Sequence, residues 1–365
     1  MAKANSVSRF LRSLARAGKA QQQLVAKLVA TSRAQAAKPS TSSSKKAPKR
    51  PPGIRQHNRP DVTAAPGKWI AGQFPGLGLR MNYWLYLPEH APATVARHGW
   101  PLIVMLHGCH QSATQFAQAT RMNHLAEKKG YAVLYPQQSL GIQQQRCWRW
   151  YNAQVQRGAD ETTALAGLVE MVCTQYRIDR RRIYVCGISA GAGMAAILAL
   201  NHPDLFAAVG LHSGPVFGAG TNAVEGVRVM RHGSASPAHL AIDDVLRLRA
   251  LAMQPMPALL IHGHDDQVVA PVNQQQLTRQ WLRLNGLPPG AKADRITVKP
   301  HGRGANRNSH EIHEYLADGK PILRVVQVGG LGHAWSGGDA AQRFTAKTGP
   351  DSSRMMIDFF SKHRR

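Results

Sequence analysis

Short apolar runs recur along the chain from residue 66 onward and alternate with longer stretches that have helical spacing. The apolar runs lie at residues 83–87, 102–106, 131–135, 183–185, 207–211, 258–261 and 323–328. Helix candidates between several of them lie at residues 116–129, 162–176 and 273–284. Continuous apolar strands separated by helices are typical of a parallel sheet that is buried on both faces. The pattern therefore predicts an α/β fold, with a mostly parallel sheet covered by helices on both faces.

The first 65 residues lack this alternation and have a different composition. Residues 1–60 contain 14 Lys and Arg and no Asp or Glu, within a chain of 365 residues whose formal net charge is +26. A stretch rich in Ser, Pro and Lys follows residue 36, and it has too few apolar residues to offset the entropy lost on ordering. We therefore expect residues 1–65 to form a basic, disordered arm and linker, and residues 66–365 to form one domain.

The arm has apolar positions at helical spacing among basic ones, which is a basic amphipathic pattern. Such a segment suits contact with an anionic surface, such as a membrane or a storage granule; the alternative is a solvated tail that aids solubility. Nucleic acid is a poor candidate partner because no nucleic-acid motif accompanies the charge. The sequence has no apolar run long enough for a transmembrane segment and no clear secretory signal, so a cytoplasmic location is favoured, with an extracellular one as the alternative.

The stretch CGISAGAGM places Gly187, Ser189 and Gly191 at alternate positions directly after an apolar run. A Ser on a sharp strand-to-helix turn has a strained backbone, and glycines two residues before and after it remove side chains that would clash. Helix-compatible residues follow at 194–200. Such a turn lifts the hydroxyl above the sheet, so Ser189 is the predicted nucleophile.

A serine nucleophile needs a base and an acid that orients the base. On a sheet of this kind the order along the chain is Ser, then Asp or Glu, then His, each placed after a strand. The run at 258–261 is followed by Asp265 and Asp266, and either can be the acid. The run at 323–328 is followed by a Gly-rich loop that carries His333, the predicted base.

Two backbone amides are needed to bind the oxyanion of an acyl-transfer intermediate. One is the amide after the nucleophile, which belongs to Ala190. The other comes from the loop after the run at 102–106, where Gly108 lets the backbone turn an amide inward. We assign this second donor to Cys109, or to a residue next to it.

The cysteines are Cys109, Cys147, Cys173 and Cys186, and their spacing contains neither a CxxC pair nor a zinc pattern. We therefore expect no metal site. Cys109 and Cys147 form a disulfide if the compartment is oxidising, and the alternative is a pair of free thiols.

Six stretches in order along the chain are LHGCHQSATQFA, YAVLYPQQS, CWRWYN, CGISAGAGMAA, IHGHDDQVV and GGLGHAWSGG. Together they resemble the esterase family that includes poly(3-hydroxybutyrate) depolymerases, a branch of the α/β-hydrolases. The resemblance covers about residues 80–360 and so excludes the arm. It implies an α/β-hydrolase fold for the catalytic domain at residues 66–365.

The resemblance also implies a serine esterase that needs no cofactor and cleaves short-chain hydroxyalkanoate polyesters or oligoesters. It assigns the nucleophile to Ser189, the base to His333 and the acid to Asp266, and it marks residues 107–109 as the oxyanion loop. Because the family includes acetylxylan and feruloyl esterases, a carbohydrate esterase is the first alternative. The second alternative is a non-catalytic protein that binds granules or surfaces on a hydrolase scaffold.

Substrate contacts are expected from side chains close to these loops. Trp148 and Trp150 follow the run at 131–135 and are candidates for an apolar wall, whereas the alternative is a place in the core. Trp335 lies two residues past the base, and His107 opens the oxyanion loop. We predict that these four side chains bind substrate.

Overall fold

The computed structural model describes residues 65–76, 80–249, 254–300 and 308–365. The predicted basic arm at residues 1–65 lies outside the described residues apart from its last position, so the expected arm stays a prediction.

One large sheet organises the described part of the chain. Its ten strands have the order β1-β2-β4-β3-β5-β6-β7-β10-β9-β8. The strands are β1 (Lys68–Phe74), β2 (Met81–Leu87), β3 (Trp100–Leu106), β4 (Ala132–Gln137), β5 (Ile178–Ile188), β6 (Ala208–His212), β7 (Ala258–Gly263), β8 (Arg295–Lys299), β9 (His310–Ala317) and β10 (Lys320–Val328). A separate short pair consists of β11 (Trp335–Ser336) and β12 (Thr345–Ala346).

The middle of the sheet is parallel, and both of its edges are antiparallel. Strands β4, β3, β5, β6, β7 and β10 run in one direction. Strands β1 and β2 form an antiparallel hairpin at one edge, and β9 and β8 continue the other edge in antiparallel register. This arrangement, with helices on both faces, is the predicted α/β-hydrolase fold, and it places the carboxyl ends of six neighbouring strands along one side.

Helices connect the strands and cover both faces. They are α1 (Ala93–His98), α2 (Ala113–Thr120), α3 (Met122–Lys129), α4 (Ala153–Gln156), α5 (Glu161–Gln175), α6 (Ala190–Asn201), α7 (Ala223–His232), α8 (Leu240–Leu248), α9 (Val272–Leu284) and α10 (Ser352–Phe360). Helices α5, α6 and α9 contribute to one buried cluster, and α2, α3 and α10 contribute to the other. Every residue of α6 is buried, which makes it the central helix of its layer.

Side chains along the central strands alternate between the two faces of the sheet and so contribute to both buried clusters. Leu102, Val104 and Leu106 of β3 belong to one cluster, and Ile103 and Met105 belong to the other. All five are fully buried. Because successive side chains of a strand point to opposite faces, a continuous apolar run fills both layers at once. The predicted strands of the parallel region are therefore confirmed.

Two features differ from the sequence prediction. The edge strands β1, β8 and β9 were missed because they are antiparallel and half-exposed, so they lack the continuous apolar runs of the central strands. The helix predicted at 116–129 is two helices, since Arg121 has a φ of 52° and ends α2 in the left-handed region.

A membrane-crossing helix is absent from the described residues, where every helix is either too short or too polar to cross a bilayer.

Candidate active site

Ser189 occupies a strained turn between the end of β5 and the start of α6. Its φ of 57° and ψ of −122° are unusual for a residue with a side chain. Conformations of this kind cost about 1–3 kcal/mol and persist where the surrounding structure holds them. The Ser189 amide donates to the carbonyl oxygen of His212 at 3.0 Å, and its side chain does not cap the helix. The hydroxyl is therefore left free for another role.

Two glycines allow this turn to lie directly against β3. A Cβ atom at Gly191 would lie 2.0 Å from the carbonyl oxygen of Leu106, and one at Gly187 would lie 2.6 Å from the same atom. Contacts below 3.0 Å require the backbone to move. The alternate glycines around Ser189 are thus explained by contact with a neighbouring strand as well as by turn geometry.

Asp266 follows β7 and is the buried member of the Asp265–Asp266 pair; its residue exposure is 3 %. One carboxylate oxygen, Oδ1, accepts from the amides of Val268 at 3.0 Å and Val269 at 2.9 Å. The other, Oδ2, lies 2.8 Å from Nδ1 of His333. Asp265 is exposed. The structure therefore brings Asp266, and not Asp265, against the predicted base.

The charge state of Asp266 follows from these contacts. Burial alone would raise its pKa, but the charge of His333 and the hydrogen bond from that ring, with smaller contributions from His262 and the Val269 amide, lower the pKa to about 2. Asp266 is thus a carboxylate at neutral pH. An ionised acceptor on Nδ1 fixes the imidazole orientation and leaves Nε2 of His333 facing away from the acid.

The three predicted side chains sit on one side of the sheet because each follows a parallel strand: Ser189 follows β5, Asp266 follows β7 and His333 follows β10. A side-chain contact connects the first loop to the last. His212, whose carbonyl holds the Ser189 amide, accepts from the amide of Ser336 on its ring nitrogen Nε2 at 3.4 Å. Within the described residues the Ser189 hydroxyl forms no hydrogen bond.

The predicted oxyanion donors also lie at this edge. Ala190 is the first residue of α6, so its amide has no partner within the helix. The Cys109 amide lies in the loop after β3 and donates to no acceptor among the residues described. Gly108 donates to Oε1 of Gln111 at 2.9 Å, which fixes the loop just before Cys109.

A disulfide joins Cys109 to Cys147, across 38 positions of sequence. Of the two alternatives, the structure contains the bridge and not the free thiols; Cys173 and Cys186 are free. The bridge fastens the oxyanion loop to the loop after β4. A disulfide of this kind persists in an oxidising environment.

The side chains of His107 and Trp148, both predicted to contact substrate, are fully buried. Trp148 donates from Nε1 to the carbonyl oxygen of His107 at 3.1 Å. The His107 ring bonds the Gly108 carbonyl at 2.8 Å and the amide of Gln138 at 3.2 Å. These side chains support the oxyanion loop from below instead of lining a cleft.

Trp150 and Trp335, also predicted to contact substrate, are likewise buried, with exposures of 5 % and 1 %. Trp335 stacks on His212 at 5.0 Å and donates from Nε1 to Oγ of Ser353 at 3.1 Å. Trp150 packs against α6 at Gly193, where a Cβ atom would lie 2.9 Å from the Trp150 side chain. Both brace the loops that carry the site.

Two buried histidines next to the predicted triad were not predicted from the sequence. His262, in β7, bonds the carbonyl of Val269 at 2.8 Å and lies 3.5 Å from Oδ2 of Asp266. His212, at the end of β6, accepts a hydrogen bond from the Ser336 amide in the loop that carries His333, which we call the base loop. Both histidines lie at the carboxyl end of an apolar run, and this position could have identified them as residues near the site.

A buried carboxylate was also missed. Glu161, at the start of α5, is fully buried and accepts from Nε of Arg149 at 2.9 Å and from Nε2 of Gln138 at 2.6 Å. Arg149 also pairs with Asp160 at 2.9 Å. This network ties the loop after β4 to α5, and no sequence spacing indicates it.

One group of described side chains has the spacing of metal ligands, namely Glu89, His90 and Glu127. It lies after β2 and on α3, not on the loops that carry Ser189 and His333. Oε2 of Glu127 accepts from the hydroxyl of Tyr86, and both of its oxygens accept from the Glu89 amide. These oxygens are therefore already used within the protein.

A family model matches residues 81–300, which is more than half of the chain, and its description is "Esterase PHB depolymerase". The chain belongs to this family. The match includes the strained serine turn and the buried aspartate, and it ends before the loop of His333.

Curated relatives agree with this membership. A poly(3-hydroxybutyrate) depolymerase of Ralstonia pickettii is 32 % identical over 76 % of this chain and 57 % of its own length. A poly(3-hydroxyalkanoate) depolymerase C of Paucimonas lemoignei is 29 % identical over 68 % of this chain and 58 % of its own length. The chain thus spans under two thirds of the length of both.

Among solved structures, an acetyl xylan esterase from Aspergillus awamori is similar, with a TM-score of 0.65 and 17 % identity. The similarity covers 81 % of this chain and 99 % of that one. At this identity the likeness concerns the fold, and it agrees with the sheet order and the helical layers of this PHB-depolymerase-family domain.

Replacing Gly191 by Ala should destabilise the domain, because the new methyl group meets the Leu106 carbonyl oxygen at 2.0 Å. Over-packing of this kind typically costs about 1–3 kcal/mol, and we expect a value at or above the upper end. The measurement is the free energy of unfolding by urea denaturation. Gly290→Ala is the matched control, since nothing lies within 4 Å of that position; equal stability of the two variants would contradict this account of the turn.

Stability should fall as the pH is lowered from 6.5 toward 4. Burial, with the nearby Arg146 charge, lowers the pKa of His107 to about 4, and burial, with the charges of His262 and His333, lowers the pKa of His212 to about 3, both from 6.5. In this pH window the two histidines bind protons in the unfolded chain but stay neutral in the folded domain. Each pKa unit of difference between the two states lowers the free energy of unfolding by up to about 1.4 kcal/mol.

Thermal melting at pH 7.5, 6 and 5 measures this effect. We expect the melting temperature to fall toward pH 5 and the fall to be smaller in His212→Asn, which has no ring to protonate. The lowered pKa of Asp266 acts below 3.8 and does not contribute in this window. A melting temperature that stays level from pH 7.5 to pH 5 would contradict the prediction.

Proposed function

We propose that this protein is a serine esterase that hydrolyses hydroxyalkanoate polyesters or oligoesters through Ser189, His333 and Asp266. The observation that carries the proposal is the buried Asp266–His333 hydrogen bond of 2.8 Å, placed two strands away from a serine held at a φ of 57°. An acid, a base and a strained serine at the ends of three parallel strands are the requirements for acyl transfer.

In the first step, Nε2 of His333 takes the proton of the Ser189 hydroxyl as Oγ attacks the ester carbonyl carbon. The carbonyl oxygen becomes an oxyanion, and the amides of Cys109 and Ala190 donate to it. The Asp266 carboxylate offsets the positive charge on the imidazole. The intermediate then collapses: the ester C–O bond breaks, the alcohol leaves with the proton from His333, and an acyl group stays on Ser189.

In the second step, water replaces the alcohol. His333 takes a proton from the water as its oxygen attacks the acyl carbon, and the same two amides bind the second oxyanion. Collapse breaks the bond to Oγ, and the proton returns from His333 to Ser189. The products are a carboxylic acid and an alcohol, and the chain is restored.

Two observations support a polyester or oligoester substrate. The family match and the relatives from Ralstonia pickettii and Paucimonas lemoignei carry depolymerase names.

A carbohydrate esterase is the second candidate. A probable acetylxylan esterase A from Aspergillus fumigatus is 28 % identical over 51 % of this chain and 51 % of its own length. The catalytic steps would be the same, and only the alcohol and acyl groups would differ.

Contact of the basic arm with an anionic granule or membrane surface also stays a proposal, since the arm lies outside the described residues; nucleic acid stays a disfavoured partner.

The experiment is turnover of 3-hydroxybutyrate oligomers, acetylated xylan and p-nitrophenyl esters by the wild type and by Ser189→Ala. We expect the oligomers to be cleaved and the substitution to lower kcat by about 10³-fold or more, because triad members act together. Cleavage of acetylated xylan alone would favour the second candidate. Equal turnover by both proteins would contradict the mechanism.

The neighbouring aspartates provide a matched pair of variants. Asp266→Asn should lower kcat by roughly 10³- to 10⁴-fold, since an amide cannot hold the imidazole tautomer or offset its charge. Asp265→Asn should stay within about twofold of the wild type, because the Asp265 side chain is exposed and forms no hydrogen bond or ion pair with the described residues. Equal losses in the two variants would contradict the assignment of the acid.

A further inference from the structure

Three side chains beside the oxyanion loop form a group that the mechanism does not use. We call His110, Arg146 and Arg343 the rim cluster. His110 directly follows Cys109, and Arg146 directly precedes Cys147, so the disulfide brings these two residues together. The His110 amide also donates to the carbonyl oxygen of Gln145 at 2.7 Å.

The third member joins the cluster from the base loop. The Gln111 side chain donates from Nε2 to the Arg343 carbonyl oxygen at 3.3 Å. The next residue, Phe344, accepts at its carbonyl from the Trp335 amide at 2.8 Å, two residues beyond His333. The backbone of Arg343 thus contacts the residue that fixes the oxyanion loop, and the residue after it bonds the loop of His333. The charge of Arg343 reaches His110, where it joins burial in lowering the pKa of that ring.

The rim cluster has donors but no anionic partner. Arg149, in the same loop as Arg146, pairs with two carboxylates at 2.9 Å each. Neither Arg146 nor Arg343 forms an ion pair with a carboxylate in the described parts of the chain, and the Arg343 guanidinium lies over the Phe344 ring at 5.2 Å.

Two nitrogen atoms of the cluster are buried as well. Nε2 of His110 and Nε of Arg146 are shielded from solvent and have no hydrogen-bond partner among the described residues. A buried donor left unpaired costs about 1–3 kcal/mol, and its partner can be a ligand. Two guanidinium groups without a carboxylate partner, next to an imidazole with an unbonded nitrogen, are suited to a small anion, and a carboxylate matches a guanidinium best.

The chemistry of the proposed substrate supplies such an anion. An oligoester of 3-hydroxy acids ends in a free carboxylate, which lies only a few bonds from the last ester carbonyl. That carboxylate belongs to the alcohol part, the part that leaves first. Because His333 gives its proton to the leaving alcohol, this part lies toward the loop of His333, and the Trp335–Phe344 hydrogen bond joins that loop to the residue after Arg343.

We propose that the rim cluster, with Arg343 as its main charge, binds the terminal carboxylate of a hydroxy-acid oligoester while the last ester bond is cleaved. The inference rests on the proposed esterase function and narrows its substrate class to anionic oligomers with a free acid end. It makes the protein an enzyme that removes units from that end in preference to cleaving neutral esters of the same acyl group.

The test compares the free-acid dimer of 3-hydroxybutyrate with its methyl ester, in which a methyl group removes the terminal charge, and it follows only cleavage of the internal ester bond between the two hydroxy acids. The measured quantity is the ratio of kcat/KM for the free acid to that for the methyl ester. In Arg343→Gln the ratio should fall roughly tenfold or more, mainly through KM for the free acid, since one charge-assisted hydrogen bond is lost. Arg343→Lys should recover part of the ratio, and added salt should lower the wild-type ratio.

The matched control is Arg279→Gln, because Arg279 on α9 is exposed and also forms no ion pair among the described residues. Its ratio should equal that of the wild type. An unchanged ratio in Arg343→Gln, with both dimers still cleaved, would overturn the carboxylate site and leave the esterase function standing. Failure of the wild type to cleave either dimer would overturn both, so the two failures are distinguishable.

Discussion

The close approach of two backbones at the carboxyl edge of the sheet is the constraint on which the rest of the site depends. The turn that carries Ser189 lies so near the end of β3 that a Cβ atom at Gly191 would be 2.0 Å from the Leu106 carbonyl oxygen. Because no side chain separates the two backbones, the serine turn lies directly against the start of the oxyanion loop. The strained φ of Ser189 is the conformation that this contact imposes.

Buried side chains hold the loops around that contact in place. Trp148 bonds the carbonyl of His107 beneath the oxyanion loop, and Trp335 stacks on His212 beneath the base loop. The Cys109–Cys147 bridge adds a covalent link between neighbouring loops. Large, well-packed residues thus position the polar groups, and this role accounts for the burial of the aromatic residues near the site.

The sequence was most informative where one rule of geometry applied. Polar residues that directly follow apolar strand runs meet at one edge of a parallel sheet, and this rule located Ser189, His333 and the Asp265–Asp266 pair. Burial could not be predicted in the same way. The sequence spacing does not indicate that Trp150 faces inward or that Glu161 pairs with Arg149, because those contacts depend on how distant loops pack. Strands β1, β8 and β9 were missed because they are partly or mostly exposed and lack a continuous apolar run.

The most direct measurement of the central claim is the mass of the protein mixed rapidly with a p-nitrophenyl ester and quenched in acid. The account predicts a covalent acyl group that forms with a burst of p-nitrophenol, lies on Ser189 in the peptide map and disappears as water completes the cycle. An acyl group on another residue, or hydrolysis with no acylated protein at any quench time, would contradict it.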